Sequence, residues 1–122
     1  MTPSEIKLHT ESRELELVYA SSSSRLSYEF LRVHSPSAEV QGHGKPILQT
    51  GKSMVMIRNL EPVGNYALKI VFDDGHDSGL YSWNYLKELC DNKDVMWKRY
   101  LEQLEQAGEK RQSNMIGTWS PD

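Results

Sequence analysis

Tyr66-Ala67-Leu68-Lys69-Ile70-Val71-Phe72-Asp73-Asp74-Gly75-His76-Asp77-Ser78-Gly79-Leu80-Tyr81-Ser82-Trp83 reads as a strand, a tight turn, a second strand and the first residue of a helix. Both central residues of a type I′ turn need positive φ, so Asp74-Gly75 between two apolar runs is a strong hairpin signal. That register makes Asp73 and His76 cross-strand neighbours. Ser82 then caps a helix whose apolar stripe runs through Trp83, Leu86 and Leu89. An antiparallel hairpin feeding directly into a helix indicates an α+β fold, a small twisted, mainly antiparallel sheet with C-terminal helices packed on it.

Upstream, Met54-Val55-Met56-Ile57 is strand-like, with the turn chemistry of Glu61-Pro62-Val63-Gly64-Asn65 before the Tyr66 strand. Farther back, Glu14-Leu15-Glu16-Leu17-Val18-Tyr19 and Ile6-Lys7-Leu8 alternate polar with apolar at a period of two, which predicts an N-terminal hairpin. Ser21 to Ser24 reads as a loop. Leu26 and Leu31 flank Ser27 in the positions of a hydrophobic staple around a capped helical turn. From Val33 to Thr50 periodicity disappears, and Pro36, Gly42, Gly44 and Pro46 predict a long irregular loop. Downstream, Asp91 or Asn92 caps a second helix carrying Trp97, Tyr100, Leu101 and Leu104, and Gly108 stops it. The expected organisation is one domain over residues 1–111 and a flexible tail over 112–122, with Met115, Ile116 and Trp119 isolated in the tail.

A chain of 122 residues is long enough for one core without covalent staples. The single cysteine, Cys90, excludes an intramolecular disulfide and leaves no cysteine pair for a zinc or iron–sulfur site, so a reducing compartment, the cytoplasm, is expected. No stretch is apolar enough for a signal peptide or a membrane span. Fourteen basic against 17 acidic residues, net −3, argue against a nucleic-acid partner, since phosphate-backbone affinity comes from clustered Lys and Arg.

Gly51-Lys52-Ser53 resembles the end of a phosphate-binding loop, but position 46, where that motif needs glycine, is Pro46. Gln41-Gly42-His43-Gly44-Lys45 allows converging N–H groups to bind an anion, with a merely flexible turn as the plainer reading. His9, His34, His43 and His76 form no HxH or HExxH pattern, so a metal site would have to be assembled across the fold with Asp73, Asp74 or Asp77; His76 beside the Asp-Asp-Gly turn otherwise reads as a surface histidine paired with a carboxylate. Cys90 falls on an apolar helical stripe, where a thiol is inert packing. No serine sits in a GxSxG elbow. Tyr81, Trp83, Tyr85, Trp97 and Tyr100 suit a helix-on-sheet core better than a partner surface.

Leu31-Arg32-Val33-His34-Ser35-Pro36-Ser37-Ala38-Glu39, Val40-Gln41-Gly42-His43-Gly44, Glu61-Pro62-Val63-Gly64-Asn65-Tyr66-Ala67 and Phe72 to Trp83 together, in this order, resemble the gamma-butyrobetaine hydroxylase N-terminal-like family over about Ile6 to Leu89. Its free-standing bacterial members are domains of unknown function. In the hydroxylases the domain precedes an oxygenase domain that binds iron and 2-oxoglutarate, so the resemblance implies an accessory domain without that activity. Those relatives hold zinc here through three cysteines and a histidine. His76 matches the histidine, while the cysteine positions carry Ser35, Ser37 and Val40. Neutral hydroxyls and a valine are poor substitutes for thiolates, so no cofactor is expected beyond weak zinc binding with His34 or His43 as a replacement ligand. Similar domains also accompany P-loop ATPases that handle iron–sulfur clusters, which implies such an ATPase or a cluster-assembly protein as partner.

The expected function is a non-catalytic binding or adaptor module whose contact surface is the loop from His34 to Lys45 together with the hairpin from Asp73 to Trp83, with Arg32, His34, Gln41, Gly42, His43, Gly44, Asp74, His76, Tyr81 and Trp83 as its candidate residues. On that expectation His43→Ala and His76→Ala leave stability nearly unchanged. A metal-binding domain centred on His76 is the alternative, and a small enzyme of unknown reaction comes third.

Overall fold

A computed structural model of the protein describes residues 2–112; the tail reading falls mainly on residues 113–122, outside them. Strands β1 (Glu5–His9), β2 (Glu14–Val18) and β3 (Ser23–Ser27) form an antiparallel meander. Leu15 and Leu17 point into the core and are fully buried, as the period-two alternation predicts. The serine run departs from expectation. Ser23 and Ser24 pair with Val18 and Leu17 as the start of β3, and the register is set by Leu26, which lies opposite Leu15 and is buried with it.

Ser27 then caps helix α1 (Tyr28–Val33), its Oγ accepting the Phe30 N–H at 3.0 Å, and all six helical residues are buried. The segment expected to be irregular contains helix α2 (Ala38–Gln41), ended by Gly42 in the left-handed conformation (φ 55°), and a 3-10 turn over Gly42–Gly44. Val40 is buried, and its carbonyl accepts the Ile47 N–H at 2.7 Å, so this part of the loop is ordered by its own contacts.

The second sheet contains β4 (Ile57–Val63), β5 (Ala67–Phe72) and β6 (Leu80–Ser82), antiparallel in that order. The strand expected over Met54 to Ile57 begins at Ile57 and runs on through Glu61-Pro62-Val63, so the turn narrows to Gly64 to Tyr66. Pro62 is tolerated because β4 is an edge strand. Asp74-Gly75 does turn the chain, with Gly75 at φ 88° and the Phe72 N–H donating to the His76 carbonyl at 2.9 Å. The ladder does not continue. Residues 76–79 leave the sheet, and pairing resumes only where β6 meets Ala67 to Lys69. Asp73 and His76 are therefore not ladder partners.

The two expected C-terminal helices are one, α3 (Trp83–Ala107), capped by Ser82 and stopped by Gly108 at φ 69°. Asp91 and Asn92 do not cap. Asp91 accepts from Lys87 Nζ at 2.6 Å, one turn back, and Asn92 Nδ2 donates to the Glu88 carbonyl at 2.9 Å. With neither Gly nor Pro between them, the two apolar stripes join as Leu86, Leu89, Cys90, Trp97, Tyr100 and Leu104. Helix α3 packs on β3 and β6 and closes a core shared by both sheets and α1. Cys90 lies in that core, where burial pushes its thiol pKa up. Among the described residues no helix is long and apolar enough to cross a membrane.

Candidate functional site

Because the chain after Gly75 leaves the sheet, His76 turns inward and is 6 % exposed. Its Nε2 lies 2.8 Å from Ser35 Oγ and 3.3 Å from Ser37 Oγ, at the junction of α1 and α2. On the other side of the ring, Nδ1 is 3.7 Å from a Glu39 carboxylate oxygen. A proton on Nδ1 facing Glu39 leaves Nε2 as the acceptor for the Ser35 hydroxyl, and Ser35 Oγ in turn accepts the Ser37 N–H at 3.3 Å. Burial lowers the His76 pKa, and the nearby Arg32 guanidinium lowers it further, so the neutral ring is favoured. Gly79 permits the close approach: a Cβ there would sit 2.5 Å from Ser35 Oγ.

Beside this cluster, Arg32 emerges from α1 only 7 % exposed. Its Nε donates to Asp74 Oδ2 at 2.8 Å and its Nη1 to Gln49 Oε1 at 3.0 Å. Lys52 Nζ reaches the same Asp74 oxygen at 2.7 Å, and Asp74 Oδ1 accepts the His76 N–H at 3.2 Å. Partial burial would raise the Asp74 pKa, but Lys52, Arg32 and the His76 amide together hold it below the usual carboxylate value. Lys52, the residue that invites a phosphate-loop reading, is thus engaged by a carboxylate. Ser78 Oγ adds a further tie to Glu39 at 2.7 Å.

Arg32, Asp74 and His76 therefore meet around Ser35 and Ser37, though as a network in which all but Asp74 are buried. The expectation of a surface histidine is corrected, and with it the expectation that His76→Ala is neutral for stability. Tyr81 is corrected likewise: it is fully buried, and its hydroxyl donates to the Leu31 carbonyl at 2.5 Å. Trp83 packs partly buried against the core, with Nε1 donating to the Asn65 carbonyl at 2.8 Å. Gln41 Nε2 donates to the Ser35 carbonyl at 3.0 Å, Gly42 ends α2, and Gly44 at φ 91° has nothing within 4 Å of a built Cβ. His34 faces another way. Its Nδ1 lies 2.9 Å from the Phe30 carbonyl, its ring packs on Phe30 and Tyr100, and burial lowers its pKa. The side chain of His43 lies outside the description.

Zinc at the His76 position would need several anionic or imidazole donors. Among the described residues no group of three or more His, Cys, Asp or Glu is placed to hold a metal. The cluster offers one imidazole and two neutral hydroxyls already bonded to it, with buried Val40 supplying no donor, so these residues do not fit the ion. Ser35, His76 and Glu39 also follow the order of a nucleophile, base and orienting acid. Ser35 is fully buried, however, and Gly79 and Tyr81 close on it, so no substrate carbonyl can approach its Oγ in this conformation. Gln49 and Lys52 complete the site from outside the expected surface, while Glu39 and Gly79 lie within its two segments. Gly79 carried a signal of its own, as a glycine in a strand-like run, which marks close approach.

Among curated proteins, none matches the sequence. The chain is similar to two proteins solved in solution by NMR. One is 54% identical with a TM-score of 0.83, covering 94% of each chain. The other is 50% identical with a TM-score of 0.79, covering 90% of this chain and 84% of that one. A crystal structure of a DUF971-family protein with unknown function from Acidithiobacillus ferrooxidans is 38% identical with a TM-score of 0.62, covering 72% of this chain and 91% of its own. The model of the gamma-butyrobetaine hydroxylase-like N-terminal domain matches residues 6–87, from β1 into α3 and through every residue of the His76 network. The chain belongs to the gamma-butyrobetaine hydroxylase-like N-terminal family.

Proposed function

We propose that the protein is a non-catalytic binding module in which a hydrogen-bonded cross-link stands where the resemblance puts a metal cross-link. The observation that carries this reading is the joining of two segments, Ser35 to Gly44 and Asp74 to Gly79, by Ser35–His76 and Ser78–Glu39 contacts, with Arg32 of α1 tying the second segment to the helix through Asp74. A surface held rigid before binding loses less entropy on association. The outward face of these segments and the following turn offers a carboxylate at Glu39, whose side chain is 70% exposed, Gln41 and Lys45, with Ile47 55% exposed as an apolar anchor. The partner implied by domain company is a P-loop ATPase or a cluster-assembly protein, and the buried polar network serves to present the surface to it.

The test is affinity capture from the native cell extract with the wild type and with Lys45→Glu/Ile47→Asp, which alters exposed side chains outside the cross-link. A partner held by the wild type and lost by the variant supports the reading. An identical set of captured proteins removes this surface from it. Turnover of any ester or amide substrate that disappears with Ser35→Ala would replace the binding module with an enzyme.

A further inference from the structure

On another part of the molecule, a cleft of about 420 Å³ opens between the β1–β2 turn, the Ser53 loop and the middle of α3. Its apolar lining is Leu26, Phe30, Val55 and Trp97, and its cations are Arg13, Arg25, Lys93 and Arg111. Two of these charges are already matched. Arg111 makes a bidentate pair with Glu29, at 2.7 and 3.0 Å, and Arg25 lies 3.3 Å from Glu14. The other two have no carboxylate within ion-pair distance among the described residues. Arg13 Nη1 reaches the Ser53 carbonyl at 3.4 Å and Met54 Sδ at 3.1 Å, and Lys93 Nζ reaches the Arg25 carbonyl at 3.2 Å.

Two further features mark the Arg13 wall. Arg13 is the only non-glycine among the described residues with positive φ, 56°, a conformation that costs energy for a side chain with a Cβ. It is pinned there by the Tyr28 N–H, which donates to its carbonyl at 2.9 Å. Such strain persists where surrounding contacts enforce it and concentrates at binding sites. The hydroxyl of Ser53, on the same wall, is buried without a hydrogen-bond partner. The chain as a whole carries −3, so two unmatched cations facing one cleft oppose its average charge.

We infer that this cleft is a binding site for a small organic anion, with a carboxylate or phosphate head between Arg13 and Lys93 and an apolar body against Phe30, Val55 and Trp97. Asp94 also lines the cleft and disfavours a second negative charge on the body. The volume falls within the range of small-molecule sites, and the combination of an apolar floor with a few convergent polar groups is their usual composition. This site shares no residue with the His76 network and stands or falls separately from the binding-module reading.

The test uses the full chain, ¹⁵N-labelled, titrated with phenyl phosphate, benzoate, inorganic phosphate and benzyl alcohol. Shifts should concentrate on the amides of Arg13, Ser53 and Lys93 and on the Trp97 indole, and one of the two aromatic anions should bind at least about tenfold tighter than inorganic phosphate or the neutral alcohol. Whichever aromatic anion binds tighter identifies the head group. Arg13→Gln and Lys93→Gln should each weaken it about tenfold, while Arg58→Gln, on the exposed edge of β4, should leave it unchanged. No saturable shift, binding as tight to inorganic phosphate as to the aromatic anions, or equal weakening by all three variants overturns the proposal.

Discussion

Around His76 and around Arg13, polar side chains converge from segments far apart in sequence, but they are treated oppositely. In the His76 network Arg32, Asp74, Lys52, Ser35 and Ser37 satisfy one another, and Ser35 has no exposed surface. Along the Arg13 cleft two cations lack carboxylates among the described residues, a hydroxyl lacks a partner, and one residue is held in a strained conformation. A network closed in this way contributes to stability and leaves little for a ligand to bond. An open one contributes little and retains the groups that a ligand requires. Substitutions should therefore separate the two regions, costing stability in the first and affinity in the second.

The largest effect is expected at Asp74. Asp74→Ala leaves the buried Arg32 guanidinium without its carboxylate and removes the acceptor for the His76 N–H, so a loss of about 3–5 kcal/mol is expected. In thermal denaturation that is a fall of more than about 10 °C. A midpoint within about 2 °C of wild type would mean that water and the Gln49 side-chain carbonyl satisfy the Arg32 guanidinium without Asp74, and the contrast between the regions would fail.

Gly79→Ala comes next. Its Cβ would press on Ser35 Oγ and on Tyr81 at 3.1 Å, and neither neighbour has room to retreat, so about 2 kcal/mol is expected to be lost. Removing the Ser35 hydroxyl opens space, so Gly79→Ala in a Ser35→Ala background should cost clearly less than in the wild type. Equal costs in a double-mutant cycle would show that the two positions do not touch.

Acid should weaken the closed network before it affects the cleft. The pKa of His76 is lowered from its ordinary 6.5 by burial and by Arg32, and that of His34 is lowered by burial. An unfolded chain then binds more protons than the folded one below pH 6.5, so the stability from these neutral rings is complete above that pH. It declines as pH falls through 6.5 toward the folded-state values. Chemical denaturation at a series of pH values should show this slope, reduced in His76→Gln by that residue's share. An unchanged slope in the variant would assign the effect to His34.

Much of the fold was legible because it is written in local periodicity. Leu15 and Leu17 alternate as strand residues should, Ser27 stands where a cap is needed, and Gly108 stops the last helix. The errors arose where tertiary contacts override local signals. Ser23 and Ser24 became strand because Leu26 is buried opposite Leu15, and Asp91 and Asn92 stayed helical because their side chains bond one turn back. At the site, the resemblance aligned Ser35, Ser37, Val40 and His76 as one set, and the two serines do converge on His76. Gln49 and Lys52 were not legible there, since their partners Arg32 and Asp74 are 17 and 22 residues away and no local pattern encodes such a pairing. Arg13 was invisible as well, because nothing in Thr10-Glu11-Ser12-Arg13 announces a positive φ at arginine.

The smallest expected effect is the one that distinguishes the cleft from the network most sharply. Arg13→Gly removes a side chain whose polar contacts among the described residues are to one carbonyl and one thioether sulfur, with no ion pair, and relieves a conformation that glycine adopts without steric penalty. The unfolded chain gains freedom in the variant, which offsets part of that relief, so the net change should be stabilising or neutral, within about 1 kcal/mol. Thermal and urea denaturation measure it. A clear loss of stability would make Arg13 a structural residue like Arg32, held in place for what it ties together. A stable protein that no longer binds phenyl phosphate or benzoate would show that the strain at Arg13 is maintained for the ligand and against the fold.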